Sequence, residues 1–371
     1  MNIGRLGKAA RARAGAAAVR ARTRRWAPRS HLFVLGDALG WSLDDDATYI
    51  SAVARDAGYA LGPPAWARAA RHQVVFHTSH FAGLHPLWTG SSHRLGLSYF
   101  HGRPGTPGFP EFDRAYEALR RDPARISRVH VTHAELEELV LSAGVERDRV
   151  HRIPLGIELD RFPLADADRR AAAREELGIP HDAYVIGSFQ KDGVGMGDGL
   201  EPKSVKGPDV LVEALALTRE RLGDLTVLLT GPARGYVRRG LEERGVPYVH
   251  RLLPDRDALA RAYHALDAYA VASRQEGGPK GVLEALATGI PLVSTRVGQA
   301  PDLVRDGENG ILVDVDDAGA LAAGLVRIAA DTALVAAFRA AGRATAEETS
   351  YDALAPRWRA LLDGFAERPD G

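Results

Sequence analysis

With 371 residues, 45% hydrophobic and 26% charged, the chain has the length and composition of two ordinary globular domains. Its 48 Lys and Arg balance 48 Asp and Glu, so no net charge draws it toward nucleic acid. It has no Cys, which excludes disulfides, thiolate zinc sites and cysteine nucleophiles, and it lacks an apolar run of about 18 residues that would suggest a spanning helix.

Residues 1–29 are compositionally separate. They carry Arg5, Lys8, Arg11, Arg13, Arg20, Arg22, Arg24, Arg25 and Arg29, no acid and many Ala. Two readings stand: a disordered, solvated tail, or a weakly amphipathic arm drawn to anionic lipid headgroups. Arginines interrupt any apolar core, which argues against a signal peptide. His31–Leu35 reads as a buried strand, followed by a loop containing Gly36 and Gly40, the place where an α/β sheet often binds ligands. Asp44, Asp45 and Asp46 precede a helix through Val53 and Ala54. Capping and dipole complementarity explain them better than a metal cluster does.

Gln73–His77 and Leu97–Phe100 are further strands, ending in His77-Thr78-Ser79-His80 and His101-Gly102-Arg103. Polar residues just past strand ends face the crevice of a parallel sheet. Phe109–Asp122, rich in aromatic and charged residues, reads as a mobile segment. Arg128–Thr132 is a strand, Ala134–Ala143 a helix stopped by Gly144, and Val150–Pro154 a last short strand. A linker and helix then lead to Gly178.

A second domain opens with the strand at Tyr184–Ser188 and a loop carrying Lys191, Gly193, Gly195, Gly197 and Gly199. Lys206-Gly207-Pro208 precedes a helix over Asp209–Arg221. Strands at Leu225–Thr230 and Tyr248–His250 alternate with helices near 233–244 and 257–265, the pattern of a parallel α/β domain. Asp314-Val315-Asp316 sits between a strand and the helix Ala318–Ala330, and reads as strand-end and capping residues. Helices near Leu334–Thr345 and over Tyr351–Phe365 close the chain.

The most informative stretch is Ser273–Pro291. An apolar strand ends at Val271 and Ala272. Gly277 and Gly278 permit a tight turn and close ligand approach. Pro279 suits a first helical turn, and Gly289 a helix stop. The helix start, with Lys280 and Gly281, offers N–H groups and a positive dipole end suited to phosphate. Glu276 and Glu284 flank it. Helical side chains lean toward the N-terminus, so Glu284 is placed to point back toward Glu276. Carboxylates accept hydrogen bonds from sugar hydroxyls, so the pair with the helix end suits a nucleotide-sugar.

This stretch resembles the donor site of retaining glycosyltransferases of the GT-B fold, family four. The two Glu are separated by seven residues with Gly and Pro between, and the likeness continues through Gly289-Ile290-Pro291, Gly298, Pro301-Asp302-Leu303-Val304, Asp306-Gly307, Asn309-Gly310 and Leu312. The resemblance implies an α/β architecture of two Rossmann-like domains facing across a cleft. They would be an acceptor-side domain at 30–160 and a donor domain at 161–345, after a basic arm at 1–29, with 346–371 crossing back. It implies Glu276 on the sugar, Glu284 on the ribose, and Gly277, Gly278, Pro279, Lys280, Gly281, Val282 and Leu283 around the donor, with Leu252 near the base. His101 would reach the sugar from the first domain, and the Gly40 loop would face the diphosphate, although it lacks the usual paired glycines. Lys206 matches the family's Lys before the helix. The family's Arg after the preceding strand is altered here, and Lys191 is the candidate substitute, a point charge without a guanidinium fork.

The function implied is transfer of a sugar from a nucleotide-diphosphate sugar to a hydroxyl acceptor, with retention and without a metal or further cofactor. A carbohydrate or lipid-linked acceptor in surface polysaccharide or glycolipid synthesis fits. So does a cytoplasmic site, peripheral to the membrane. A nucleotide-sugar epimerase, or an idle partner subunit of a transferase, are the alternatives.

Overall fold

The computed structural model describes residues 14–36 and 42–368, the side chains of 42–44 excepted. Gly40, the basic residues up to Arg13, and the Asp44 side chain lie outside the described residues. The chain divides into two compact units. One comprises the residues to Ile153 with those from Leu354 onward, and the other comprises Pro154–Ala353.

The first unit is built on five parallel strands in sequential order: β1 (Leu32–Leu35), β2 (Val74–His77), β3 (Arg94–Tyr99), β4 (Ile126–Val131) and β5 (Val150–Arg152). Burial on both faces is why these strands read as nearly unbroken apolar runs. Alternation sends Phe33, Val75, Leu95, Leu97, Val129 and Val131 to one core. Leu32, Val34, Val74 and Phe76 go to another, where Trp358, Leu361, Leu362 and Phe365 of the C-terminal segment meet them. Gly96 is needed there, because a Cβ would lie 2.7 Å from the Phe365 ring.

Two expectations change here. Phe109–Asp122 is not a loose segment. It forms the helix Pro110–Arg121, led by Pro, with acids in its first turn and arginines in its last, and it buries Phe112, Ala115 and Leu119. Nor is all of the basic arm a solvated tail. Residues 14–23 are helical, Trp26 stacks on His31 at 3.5 Å, and Gln73 Nε2 donates to the Ala27 carbonyl.

The second unit holds six parallel strands: β6 (Val185–Ser188), β7 (Thr226–Thr230), β8 (Tyr248–Arg251), β9 (Ala268–Val271), β10 (Leu292–Thr295) and β11 (Ile311–Val313). Their order is β11-β10-β9-β6-β7-β8. The chain runs outward from β6 to one edge, then returns beside β6 as β9 and runs to the other. The reversal places a topological switch point between β6 and β9, where an open α/β sheet leaves a crevice past its strand ends. Among the described residues no single helix is long and apolar enough to cross a membrane.

Candidate active site

The segments leaving β6 and β9 meet at that switch point. Lys206 Nζ donates to Glu276 Oε1 at 2.5 Å, with the side chains 21% and 10% exposed. Ser273 Oγ donates to the same carboxylate oxygen at 2.8 Å. Gln190 Nε2 donates to the Lys206 carbonyl at 2.9 Å. The loops are also latched through their backbones, since the N–H groups of Arg274 and Gln275 both donate to the Val205 carbonyl. Arg274 grips Asp209 with two hydrogen bonds of 2.8 and 2.6 Å. That grip holds the Asp209 carboxyl below its ordinary range.

Gly207 makes this approach possible. Its φ is +57°, and a Cβ would stand 2.0 Å from the Ala272 carbonyl oxygen. A lysine from one loop thus reaches a carboxylate from another because the residue between them has no side chain.

The helix after β9 is Lys280–Thr288. Pro279 occupies the cap position, and no side chain caps the first N–H groups. Gly289, at φ +71°, ends it with its N–H on the Ala285 and Leu286 carbonyls. Close packing sets the glycines around the helix start. A Cβ on Gly278 would meet Leu155 at 2.6 Å, and one on Gly281 would meet the Tyr269 hydroxyl at 2.4 Å. Val282 and Leu283 are fully buried in the core, so any contact with a ligand falls to their backbone. Lys280, at the helix start, has Nζ 3.5 Å from the Tyr351 hydroxyl.

The other named residues are placed differently. Glu284 is 4% exposed and, among the described residues, shares no hydrogen-bond partner with Glu276. Its Oε1 accepts from Arg256 Nη2 at 3.0 Å and its Oε2 from the Tyr263 hydroxyl at 2.8 Å. Burial, then the Glu284 charge, pushes the Tyr263 phenol well up, so it stays a donor. Lys191 Nζ lies 3.4 Å from Met196 Sδ on its own loop. Leu252, just past β8, is 71% exposed.

Sequence reasoning missed a second cation near the end of β6. Arg234 is fully buried with Asp192, at 3.0 Å, and its Nη1 donates to the Ser188 carbonyl at 2.6 Å. It anchors the start of the glycine loop from beneath. Burial outweighs this pairing and raises the Asp192 carboxyl above its usual range. Arg256 and Tyr263 were missed as well. All three come from helices or turns far along the chain from their partners, so no local spacing announces them.

His101 belongs to the first unit, just past β3. Its ring stacks on Phe100 at 4.6 Å and meets Phe112 edge-on at 5.2 Å. His80, fully buried, stacks on Tyr99 at 4.2 Å, and His77 meets Trp88 at 4.7 Å. Burial holds His77 down to about 4 and His80 well below the ordinary imidazole value.

Comparison with known proteins agrees with this architecture. Residues 195–331 match the family described as glycosyl transferases group 1. The computed structure superposes on Anabaena HepE, crystallised with UDP and glucose, with a TM-score of 0.71 and 16% identity over 90% of this chain and 99% of that one. It also superposes on WaaG, a glycosyltransferase involved in lipopolysaccharide biosynthesis, at 0.65 and 16% over 92% and 100%. The fold is GT-B, and the likeness to group 1 glycosyl transferases falls within the second unit. The structural likeness speaks for the fold alone. In sequence, the chain is 36% identical to the D-inositol 3-phosphate glycosyltransferase of Xylanimonas cellulosilytica, over 64% of this chain and 55% of that protein. It is 33% identical to that of Salinispora arenicola, over 60% and 51%. The chain therefore spans about half the length of these relatives.

Proposed function

We propose that the chain is a retaining glycosyltransferase that moves a sugar from a nucleotide-diphosphate sugar to a hydroxyl acceptor. The observation that carries this reading is the Lys206–Glu276 pair at the switch point of the second sheet, beside a helix start without a side-chain cap. A diphosphate lying there replaces the carboxylate as the partner of Lys206. Glu276, released from the lysine, accepts hydrogen bonds from sugar hydroxyls. Glu284 orients the ribose, with Arg256 and Tyr263 fixing its carboxylate.

Chemistry follows from that placement. The bond from the anomeric carbon to the diphosphate oxygen breaks, and the electron pair leaves with the nucleoside diphosphate. Lys206 and the helix dipole stabilise the growing negative charge. The acceptor oxygen attacks the same face of the oxocarbenium-like sugar, and its proton passes to the departing phosphate oxygen. Configuration is retained without a protein base. Likeness to HepE favours UDP-sugars as the first donors to try, and likeness to the inositol phosphate enzymes places phosphorylated polyols among the acceptors.

The test is a donor panel assayed for nucleoside diphosphate release with and without acceptors, with product stereochemistry read by NMR. Acceptor-dependent release with retained configuration is expected. An epimerised donor formed without acceptor, or no turnover of any donor, would overturn the reading.

A further inference from the structure

The edge of the first sheet opposite its strand ends holds a recess of about 390 Å³. It lies where β1 to β4 begin. Arg29, His72, Arg94 and Arg125 line it with His93 and Ser92, and no acid does. Among the described residues, no carboxylate pairs with any of the three arginines. Arg125 spends Nε and Nη2 on the carbonyls of Thr89, Trp88, Ser91 and His93, and Nη1 has no acceptor among the described residues. Arg94 Nη1 is held on the Gly364 and Phe365 carbonyls. The two guanidinium groups are therefore fixed in place by backbone oxygens; Glu367 and Asp122 act on Arg94 and Arg125 through space, but neither carboxylate lines the recess.

The backbone supplies an independent sign. Arg29 and His72 have φ of +62° and +55°, a conformation unfavourable for side chains of their kind. They are joined directly, the Arg29 N–H donating to the His72 carbonyl at 2.7 Å. Strain of this kind gathers where a ligand has to be held. Beside them, Ser92 Oγ accepts from the His72 N–H and keeps its own proton to donate.

We propose that this recess binds a phosphate group. Rigid arginines, a hydroxyl and an acid-free lining are the chemistry of an anion with several acceptor oxygens. The cluster is repulsive as it stands. Burial, then Arg29 and Arg128, weaken the hold of Arg94 on its proton by more than Glu367 strengthens it, and a bound anion relieves that repulsion. The group is carried either by a soluble phosphate or by a lipid with a phosphomonoester head. The recess belongs to the first unit and the Lys206–Glu276 pair to the second, so the proposal does not depend on the transferase reading.

The full chain, freed of phosphate by dialysis, would be titrated calorimetrically with inorganic phosphate against chloride of equal ionic strength. It would also be sedimented with vesicles of phosphatidylcholine with or without phosphatidic acid. Arg29→Asn removes one charge and keeps a residue that tolerates the left-handed backbone. Arg94→Gln removes another, at the cost of its carbonyl bonds, so Arg29→Asn carries the test should that variant misfold. Phosphate binding weakened at least about tenfold in Arg29→Asn, with a melting temperature in phosphate-free buffer no lower than wild type, supports a soluble ligand. The same loss seen with phosphatidic acid vesicles supports a lipid head. Binding that Arg29→Asn leaves unchanged, or no binding of either probe by wild type, would overturn the proposal.

Discussion

Both units are parallel α/β sheets, yet they treat charge at their strand ends in opposite ways. Past β2 and β3 of the first unit, His77, His80 and His101 sit among Phe, Tyr and Trp rings, and burial keeps His77 and His80 neutral. Past β6 and β9 of the second unit, a lysine and a carboxylate are brought to 2.5 Å. Strand order gives the reason. The first sheet runs β1 to β5 in sequence, whereas the second reverses between β6 and β9. Loops that diverge at a reversal leave an open, polar crevice, and neighbouring loops in an unreversed sheet can close on apolar rings.

The largest effect should come from the buried ion pair that anchors the second unit's glycine loop. Arg234→Met leaves Asp192 charged and buried, and is expected to cost about 3–5 kcal/mol. The double change with Asp192→Asn should recover much of that loss in urea unfolding. Equal costs for the single and double variants would remove the pair from the comparison.

Acid should sharpen it next. His77 and His130, both in the first unit, are held down to about 4, chiefly by burial. Their folded values lie below the free imidazole's 6.5, so as pH falls the unfolded chain takes up protons first. The stability they give is full above pH 6.5, declines between about 6.5 and 4, and is gone below. Each contributes on the order of 3 kcal/mol. Carboxylates such as Asp209 titrate below that window. Burial also holds His264 of the second unit below the free imidazole value, but as one group against several, so hydrogen exchange should show β2 and β4 losing protection before β6 and β9. Simultaneous loss in both units would contradict the contrast.

Gly207→Ala is expected to cost about 1–3 kcal/mol of stability, from the left-handed backbone and the Ala272 carbonyl. Its effect on the site should exceed its effect on the melting temperature, because it parts the loops that carry Lys206 and Glu276. A variant with normal nucleoside diphosphate affinity would show that the close approach is dispensable.

Much of this was legible in the sequence. Apolar runs marked the strands, and Gly144, Gly178 and Gly289 marked helix ends, because these signals are local. The glycine turn with Glu276 and Lys206 marked the candidate site, where the structure joins the two side chains. The helix Pro110–Arg121 escaped because its three buried residues are scattered among charges. The partners of Glu284 escaped because Arg256 and Tyr263 stand 28 and 21 positions away, where only the packing of two helices brings them together. Lys191 drew notice as the cation after β6, whereas the guanidinium seated under that strand end is Arg234, which follows β7. Spacing along the chain does not encode which strands become neighbours.

The central claim is that Lys206 holds the diphosphate and Glu276 the sugar of a nucleotide-sugar, and turnover of single-residue variants tests it most directly. With the best donor of the panel, Lys206→Ala and Glu276→Ala should each release nucleoside diphosphate at least about tenfold more slowly than wild type, with melting temperatures nearly unchanged. Near-normal turnover in both variants would contradict the account.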